Sequence, residues 1–435
     1  MDSTNSSKPP STDNKFTKKK NPKTSKSNKK RGAQKGHKGN FLKISKNPDT
    51  INILLPHNCT KCNNSLDDVE VSKVQSRQVY DLPKIKIDVA EYQAHSKICP
   101  CCNSVNRPEF PVHIKATAQY GENIKSFVSY CNTYQMIPYE RIVEMIADIT
   151  LHKISTGTIN NFLKEYHQKL EKFETVTKEL LKEQEVLHND ETGANIQGRT
   201  HWIHVASSQI ATLYMVHKKR GKEAIDHMNI LPDFKGVSVH DHFSSYNSYD
   251  CKHSYCNAHI LRELNGITEK EGVRWSHDLY SLLTTMNKEV HKAKNSGKSQ
   301  ISATKTKSLI QSYQKITESA FQYYPPPTKK VKKRGRIKQQ KGKNLLDRLV
   351  KYKDETLRFL VDFRVPFTNN LAERDLRMIK VKEKISGCFA SFNGCEMFCR
   401  IRSYISTLKK NHIPVLQASR EALEGRAYIP AGVGY

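Results

Sequence analysis

Acidic side chains are scarce in this 435-residue chain: 43 Asp and Glu face 72 Lys and Arg, a formal net charge of +29 at pH 7. A surplus that size is unusual for a metabolic enzyme and favours a polyanionic partner. Long apolar runs are missing too. Nothing approaches the roughly 18 apolar residues of a membrane-crossing helix, so no membrane partner is expected. The opening stretch MDSTNSSKPPSTDNKF has no apolar core and does not read as a secretory leader. Tryptophan is limited to Trp202 and Trp275, which suit a core but can also stack on a displaced base. The hydrophobic share of 37% is low, yet enough to bury a core. At roughly 150 residues per domain, about three domains fit. Eleven cysteines, several in tight pairs, then fit metal ligation in a reducing cytoplasm better than disulfides.

The chain divides by composition. Residues 1–45 form a basic tail, with twelve Lys or Arg before residue 40 against only Asp2 and Asp13. Such a segment buries too little to offset its ordering entropy and reads as a disordered, phosphate-binding arm or a solubilising tail. Residues 50–115 read as a small β-rich module in which Ile85, Ile87 and Val89 alternate as one strand face. Residues 116–180 read as helices broken at His152-Lys153, with Ser155 as an N-cap. From Val186 the pattern becomes β-β-β-α-β, a mixed sheet. Residues 257–363 are mostly helical around the basic run TKKVKKRGRIKQQKGKN, which holds Arg334 and Arg336. No internal repeat is evident.

Cys59-x2-Cys62 and Cys99-x2-Cys102 are spaced to put four thiolates on one tetrahedral zinc ion. A closed four-ligand site leaves no room for water, so this zinc is structural. Cys101 is an alternative to Cys102, and His57 and His95 lie near enough to be outside candidates.

Three acids stand apart from the rest. Asp190, after Val186-Leu187, and Asp241, after GVSVH, read as strand-end residues. Such a pair can share two Mg²⁺ (or Mn²⁺) ions, hard cations that clamp the oxygens of an in-line phosphoryl transfer. Glu373 is the best third ligand, in the first turn of a helix capped by Asn369 or Asn370. At helical spacing Glu373, Arg377, Lys380 and Lys384 share a face, one acid heading a basic ridge. The same spacing also fits an ordinary i,i+4 ion pair on an exposed helix.

Read together, the strings HNDETG, GVSVHDHFSSY, CNAHILREL, FTNNLAERDLRMIKVKEKISGCF and FCRIRSYISTLKK resemble the transposases of the insertion-sequence-66 family. The four-cysteine module and RGAQKGHKG at 31–39 sit where that family has a zinc finger and a Gly-rich basic segment. The resemblance covers about residues 31–425. It implies a DDE catalytic domain over 181–425, with a ribonuclease-H-like mixed sheet and a helical insertion at about 265–362. Asp190, Asp241 and Glu373 would form its triad. Cys256-x2-His259 looks like a Cys-x2-His signature found after the second aspartate in several DDE families. Ala390 stands where close relatives would carry arginine, and no zipper-like helix precedes the Gly-rich segment.

The expected activity is metal-dependent nicking of element ends and transfer of the 3′-hydroxyl into target DNA. The alternative is a non-catalytic zinc-containing DNA-binding regulator derived from a mobile element. The helical region at 116–180 resembles a helix-turn-helix, with Ser155, Thr158 and Asn161 at phosphates or base edges. Arg377, Lys380, Lys384, Arg334 and Arg336 would add phosphate contacts. Double-stranded DNA, a second copy of the chain and accessory proteins of the element are the implied partners, in a cytoplasmic, nucleoid-associated setting.

Overall fold

The computed structural model describes residues 39, 41–325 and 339–430. Most of the basic tail, together with Arg334 and Arg336, lies outside the described residues. By their contacts the described residues form two units, one ending at Ile87 and one beginning at Asp88.

In the first unit no described residue is buried; Ile53, Leu54 and Val79 all face solvent. Side-chain ties take the place of a core. Gln78 exchanges two hydrogen bonds with the backbone of Ser45, and the Tyr80 hydroxyl donates to the Lys43 carbonyl at 2.7 Å. The alternating Ile85, Ile87 and Val89 form no strand, a correction to the β-rich expectation. Alternation predicts a strand only when one face has a core to cover.

In the second unit a short hairpin, β1 (Lys97–Ile98) and β2 (Val105–Asn106), closes around Cys99 and Cys102. The Cys59 turn of the first unit is built the same way, bridged at Asn58 and Ser65. In each, the residue after the second cysteine, Asn63 or Asn103, has φ +56° and donates its N–H to the first cysteine's carbonyl. Asparagine tolerates that left-handed backbone better than most residues. The two knuckles are thus an internal repeat too short for composition to reveal.

Four helices follow: α1 (Glu122–Ser129), running into a π-turn at Tyr130–Tyr134, then α2 (Tyr139–Thr150), α3 (Thr156–Lys169) and α4 (Glu171–Lys182). Pro138 separates the π-turn from α2, because proline lacks the N–H a helix interior needs. Ser155 caps α3 as expected, accepting from the Thr158 N–H at 3.0 Å.

The sheet strands are β3 (Val186–Ile196), β4 (Arg199–Ser207), β5 (Thr212–His217), β6 (Val237–His240) and β7 (Lys252–Tyr255), with α5 (Lys222–Met228) between β5 and β6. Their order is β5-β4-β3-β6-β7. The first three pair antiparallel, and β6 and β7 join parallel to β3. Gln197 and Gly198, both at positive φ, make the two-residue turn between β3 and β4. Gly236 leads into β6 where a Cβ would meet the Gln184 and Glu185 carbonyls at 2.6 Å.

Helices α6 (Asn257–Glu271), α7 (Arg274–Asn295), α8 (Ala303–Ala320), α9 (Lys341–Lys351) and α10 (Lys353–Val361) come next. They enclose a core of their own around Leu279, Leu283, Tyr313 and Leu345. Trp275 is buried in it, its indole N–H donating to the Tyr324 hydroxyl, so it has no face left for a base.

The chain then returns to the sheet through α11 (Asn370–Ser386), α12 (Phe392–Lys410) and α13 (Val415–Leu423). Ala372, Leu376 and Ile379 of α11, with Cys395 and Phe398 of α12, cover the sheet face presenting Ile203, Val205 and Tyr214. The opposite face, with Leu187, Ala206 and Leu213, packs on α4 and α5. Helices α12 and α13 also complete the core of α1–α4, where Phe173 meets Tyr404 edge to face. The helices before residue 180 and the last two helices therefore share one interior. No helix among the described residues is long and apolar enough to cross a membrane.

Candidate active site

Asp190 is not at the end of its strand, as the sequence suggested; it is the fifth residue of β3 and pairs with Val205 of β4. On the other side, however, the parallel pairing with β6 stops at His188 and Val239. Beyond that point β6 ends at His240 and Asp241 follows it. One edge of β3 is thus free at Asp190, and Asp241 leaves the neighbouring strand beside it.

Glu373 arrives from the first turn of α11. Asn369 holds that helix to β3, and this role was invisible in sequence. It stands at the N-cap, but its side chain makes no cap hydrogen bond. Instead its amide donates to the Asn189 carbonyl at 2.9 Å, and its oxygen pairs with His188 Nδ1 at 2.9 Å. Its backbone N–H donates to Cys256 Sγ at 3.2 Å.

Asp190 lies within electrostatic reach of both Asp241 and Glu373. Burial pushes the Asp190 carboxyl well above its ordinary value, and the negative charges of Glu191, Asp241 and Glu373 push it further. Glu373 is held below its ordinary value by the His259 imidazole, against an opposing burial effect. His259 Nε2 and Cys256 Sγ each stand 3.5 Å from Glu373 Oε1. Both come from the start of α6, Cys256 at the N-cap and His259 in the first turn. In the absence of a cation, burial pushes the Cys256 thiol up to about 12.

Glu191 was overlooked in sequence because an acid beside an acid carries no signal of its own. It is buried and fully engaged. Arg220 donates to Oε1 through two nitrogens at 2.7 and 2.9 Å, and the Tyr246 hydroxyl donates to Oε2 at 2.6 Å. Burial and Asp241 still raise its carboxyl above the ordinary value. The Arg220 guanidinium lies 4.9 Å from the Trp202 ring centre and 4.2 Å from that of Phe243. Trp202 therefore already carries a cation on one face.

The basic ridge is only partly free. Arg377 and Lys384 are exposed, but Lys380 donates to the Gly193 carbonyl and pairs with Glu383. On α3, Ser155 and Asn161 face solvent while Thr158 is half-buried against the cap. Each cysteine knuckle lowers one thiol below its ordinary value, Cys59 through backbone N–H groups of Cys62 and Lys61, and Cys102 through Ser104. That is the polarity a metal-binding thiolate needs.

A family model described as Transposase IS66 family matches residues 117–397. No curated protein matches. Among solved structures the chain is similar, at 11% identity and a TM-score of 0.15, to a chain of an intasome of simian T-cell lymphotropic virus in complex with the PP2A regulatory subunit B56 gamma. That alignment covers 49% of this chain and 80% of the other.

Proposed function

This chain belongs to the IS66 family of transposases, and we propose that it is a DDE-type polynucleotidyl transferase with Asp190, Asp241 and Glu373 as its triad. The observation that carries the reading is that the charges of Asp241 and Glu373 both reach Asp190, the three acids being brought from a strand end, a helix start and a strand interior. A carboxylate pushed up by neighbouring negative charges, as Asp190 is, fits a divalent cation, which relieves the repulsion. Two Mg²⁺ (or Mn²⁺) ions are the proposed occupants. When bound, such ions polarise the scissile phosphodiester and activate the attacking hydroxyl.

The rest falls to the chain itself. Asp190 and Asp241 supply the fixed oxygens of the sheet, and Asn369 sets how close Glu373 comes to them. Arg377 and Lys384 meet DNA phosphates along α11, beside the reacting bond. The nick at an element end frees a 3′-hydroxyl, whose oxygen then forms a bond to a target phosphorus as a target P–O bond breaks. No covalent protein–DNA bond is needed at any stage.

The strand order, three antiparallel strands followed by two parallel ones, supports a ribonuclease-H-like catalytic domain over 181–425, and α6–α10 would be its insertion at about 265–362. We assign residues 50–115 to a zinc-finger module. Each knuckle offers zinc a thiol pair, Cys59 with Cys62 and Cys99 with Cys102, and the absence of buried residues in 41–87 suits a segment that needs metal to fold. Residues 116–180 would contact DNA through Ser155, Thr158 and Asn161, and the basic segments at 1–45 and at Arg334 and Arg336 would add sequence-blind affinity. Holding two element ends together calls for at least a dimer.

Incubating the full-length protein with Mg²⁺, a duplex carrying an element end and a target plasmid tests the reaction. The expected product is end DNA joined to target through its 3′ strand, with no protein attached. Cleavage without joining would reduce the protein to a nuclease.

A further inference from the structure

We propose that Cys256, His259 and Glu373 form a zinc site that takes the Glu373 carboxylate as its third ligand. The ligand atoms all lie within 4.8 Å of one another. Sγ and Nε2 each stand 3.5 Å from Oε1. As a hydrogen bond the His259 contact is long, since N–H···O bonds cluster at roughly 2.7–3.2 Å, whereas 3.5 Å is ordinary for sulfur. As edges of a coordination tetrahedron both contacts fit: ligand bonds of about 2.0–2.3 Å to zinc give edges of roughly 3.3–3.7 Å.

The backbone around Cys256 offers a metal-bound thiolate two supports. Its sulfur accepts the Asn369 N–H and sits where α6 and α11 both begin, facing the positive ends of two helix dipoles. Binding the cation displaces the thiol proton to solvent. Sulfur, nitrogen and oxygen together select a borderline-soft ion, whereas Mg²⁺ takes oxygen. Three ligands also leave a fourth position open to water.

Such a site competes for a carboxylate the catalytic centre needs. A zinc ion seated there withdraws Glu373 from Asp190 and Asp241 and holds the enzyme inactive. That consequence alone rests on reading Glu373 as the third catalytic acid.

Cobalt(II), whose spectrum reports thiolate ligation, is the probe. The metal-stripped full-length chain is titrated with Co²⁺, alongside Cys256→Ser, His259→Ala, Glu373→Gln and, as a distant control, Cys388→Ser. Wild type and the control are expected to bind one equivalent more than Cys256→Ser, and the difference spectrum should show a single sulfur-to-cobalt charge-transfer band. His259→Ala and Glu373→Gln should weaken that equivalent by about tenfold or more. Zn²⁺ should displace it, and excess Mg²⁺ should not. Equal stoichiometry and affinity in wild type and His259→Ala, whose altered side chain is partly exposed and not needed for the core, would overturn the site even if Cys256→Ser failed to fold. Displacement by Mg²⁺ would overturn it as well. The readout is metal and not cleavage. DNA cleavage surviving in Glu373→Gln would therefore remove the proposed catalytic role while leaving the zinc site standing.

Discussion

Asn369 joins three parts of the molecule through one side chain and one peptide unit. Its amide ties to β3, its N–H to Cys256, and its carbonyl accepts the Glu373 N–H at 3.2 Å. Replacing it with alanine leaves the buried Asn189 carbonyl and His188 ring without partners. Each orphaned buried group costs about 1–3 kcal/mol. Asn369→Ala should therefore lower the urea midpoint, and it should lower cleavage by a larger factor than the stability loss explains, because Glu373 loses its register. Denaturation and cleavage measured on the same preparation separate the two effects. Little of this was legible beforehand. Asn before a helix reads as a cap, and only the fold reveals that the side chain turns to a strand 180 residues earlier. Glu191 and Arg220 are similar: their partnership depends on which faces of β3 and of the loop after β5 meet.

At the scale of elements, α11 is fastened at its far side by Asp375. That carboxylate accepts from Ser207 at 2.8 Å and Thr212 at 3.0 Å, and pairs with Lys410 of α12 at 3.4 Å. Burial lowers the Lys410 ammonium to about 8. Its folded value lies below the roughly 10.4 of a free lysine, so the unfolded chain binds more protons between those limits. Stability should rise as pH increases from about 8 to about 10.4, and that gain is lost as pH falls back through 8. Lys410→Met should remove that slope and, near pH 7, destabilise the protein by leaving Asp375 without its cation; guanidinium titrations at pH 7, 8 and 9.5 give both results. The elements themselves were largely readable. The order β3-β4-β5-α5-β6 is the β-β-β-α-β pattern that the sequence shows from Val186 onward. Strand β7 was not, because Lys-His-Ser-Tyr has no alternation of its own and is a strand only through its pairing with β6.

Two properties belong to the whole molecule. Burial holds His188 and His204 at about 4, and His240 and His242 at about 3. An unfolded histidine titrates near 6.5, so as pH drops below that value the unfolded chain takes up protons the fold refuses. Asp190 and Glu191, whose carboxyls are raised, work in the opposite direction, but the histidines outnumber them. The thermal midpoint should fall between pH 7 and pH 4.5. His204→Met should flatten that fall, since both nitrogens of His204 are buried without partners. The net charge of +29 predicts that affinity for any duplex declines steeply with salt. Log Kd against log salt should have a slope that shrinks by about 0.9 for each DNA phosphate the protein no longer neutralises. Deleting residues 1–38 should reduce that slope without abolishing cleavage.

The central claim is that three acids, each from a different element, make one metal-dependent centre. Mg²⁺-dependent nicking of an element-end duplex by wild type, Asp190→Asn, Asp241→Asn and Glu373→Gln tests it most directly, with thermal midpoints and DNA affinity measured in parallel. The account predicts that each substitution lowers the nicking rate by at least about 100-fold while folding and DNA binding persist. Nicking at the wild-type rate by any one of the three variants would contradict it.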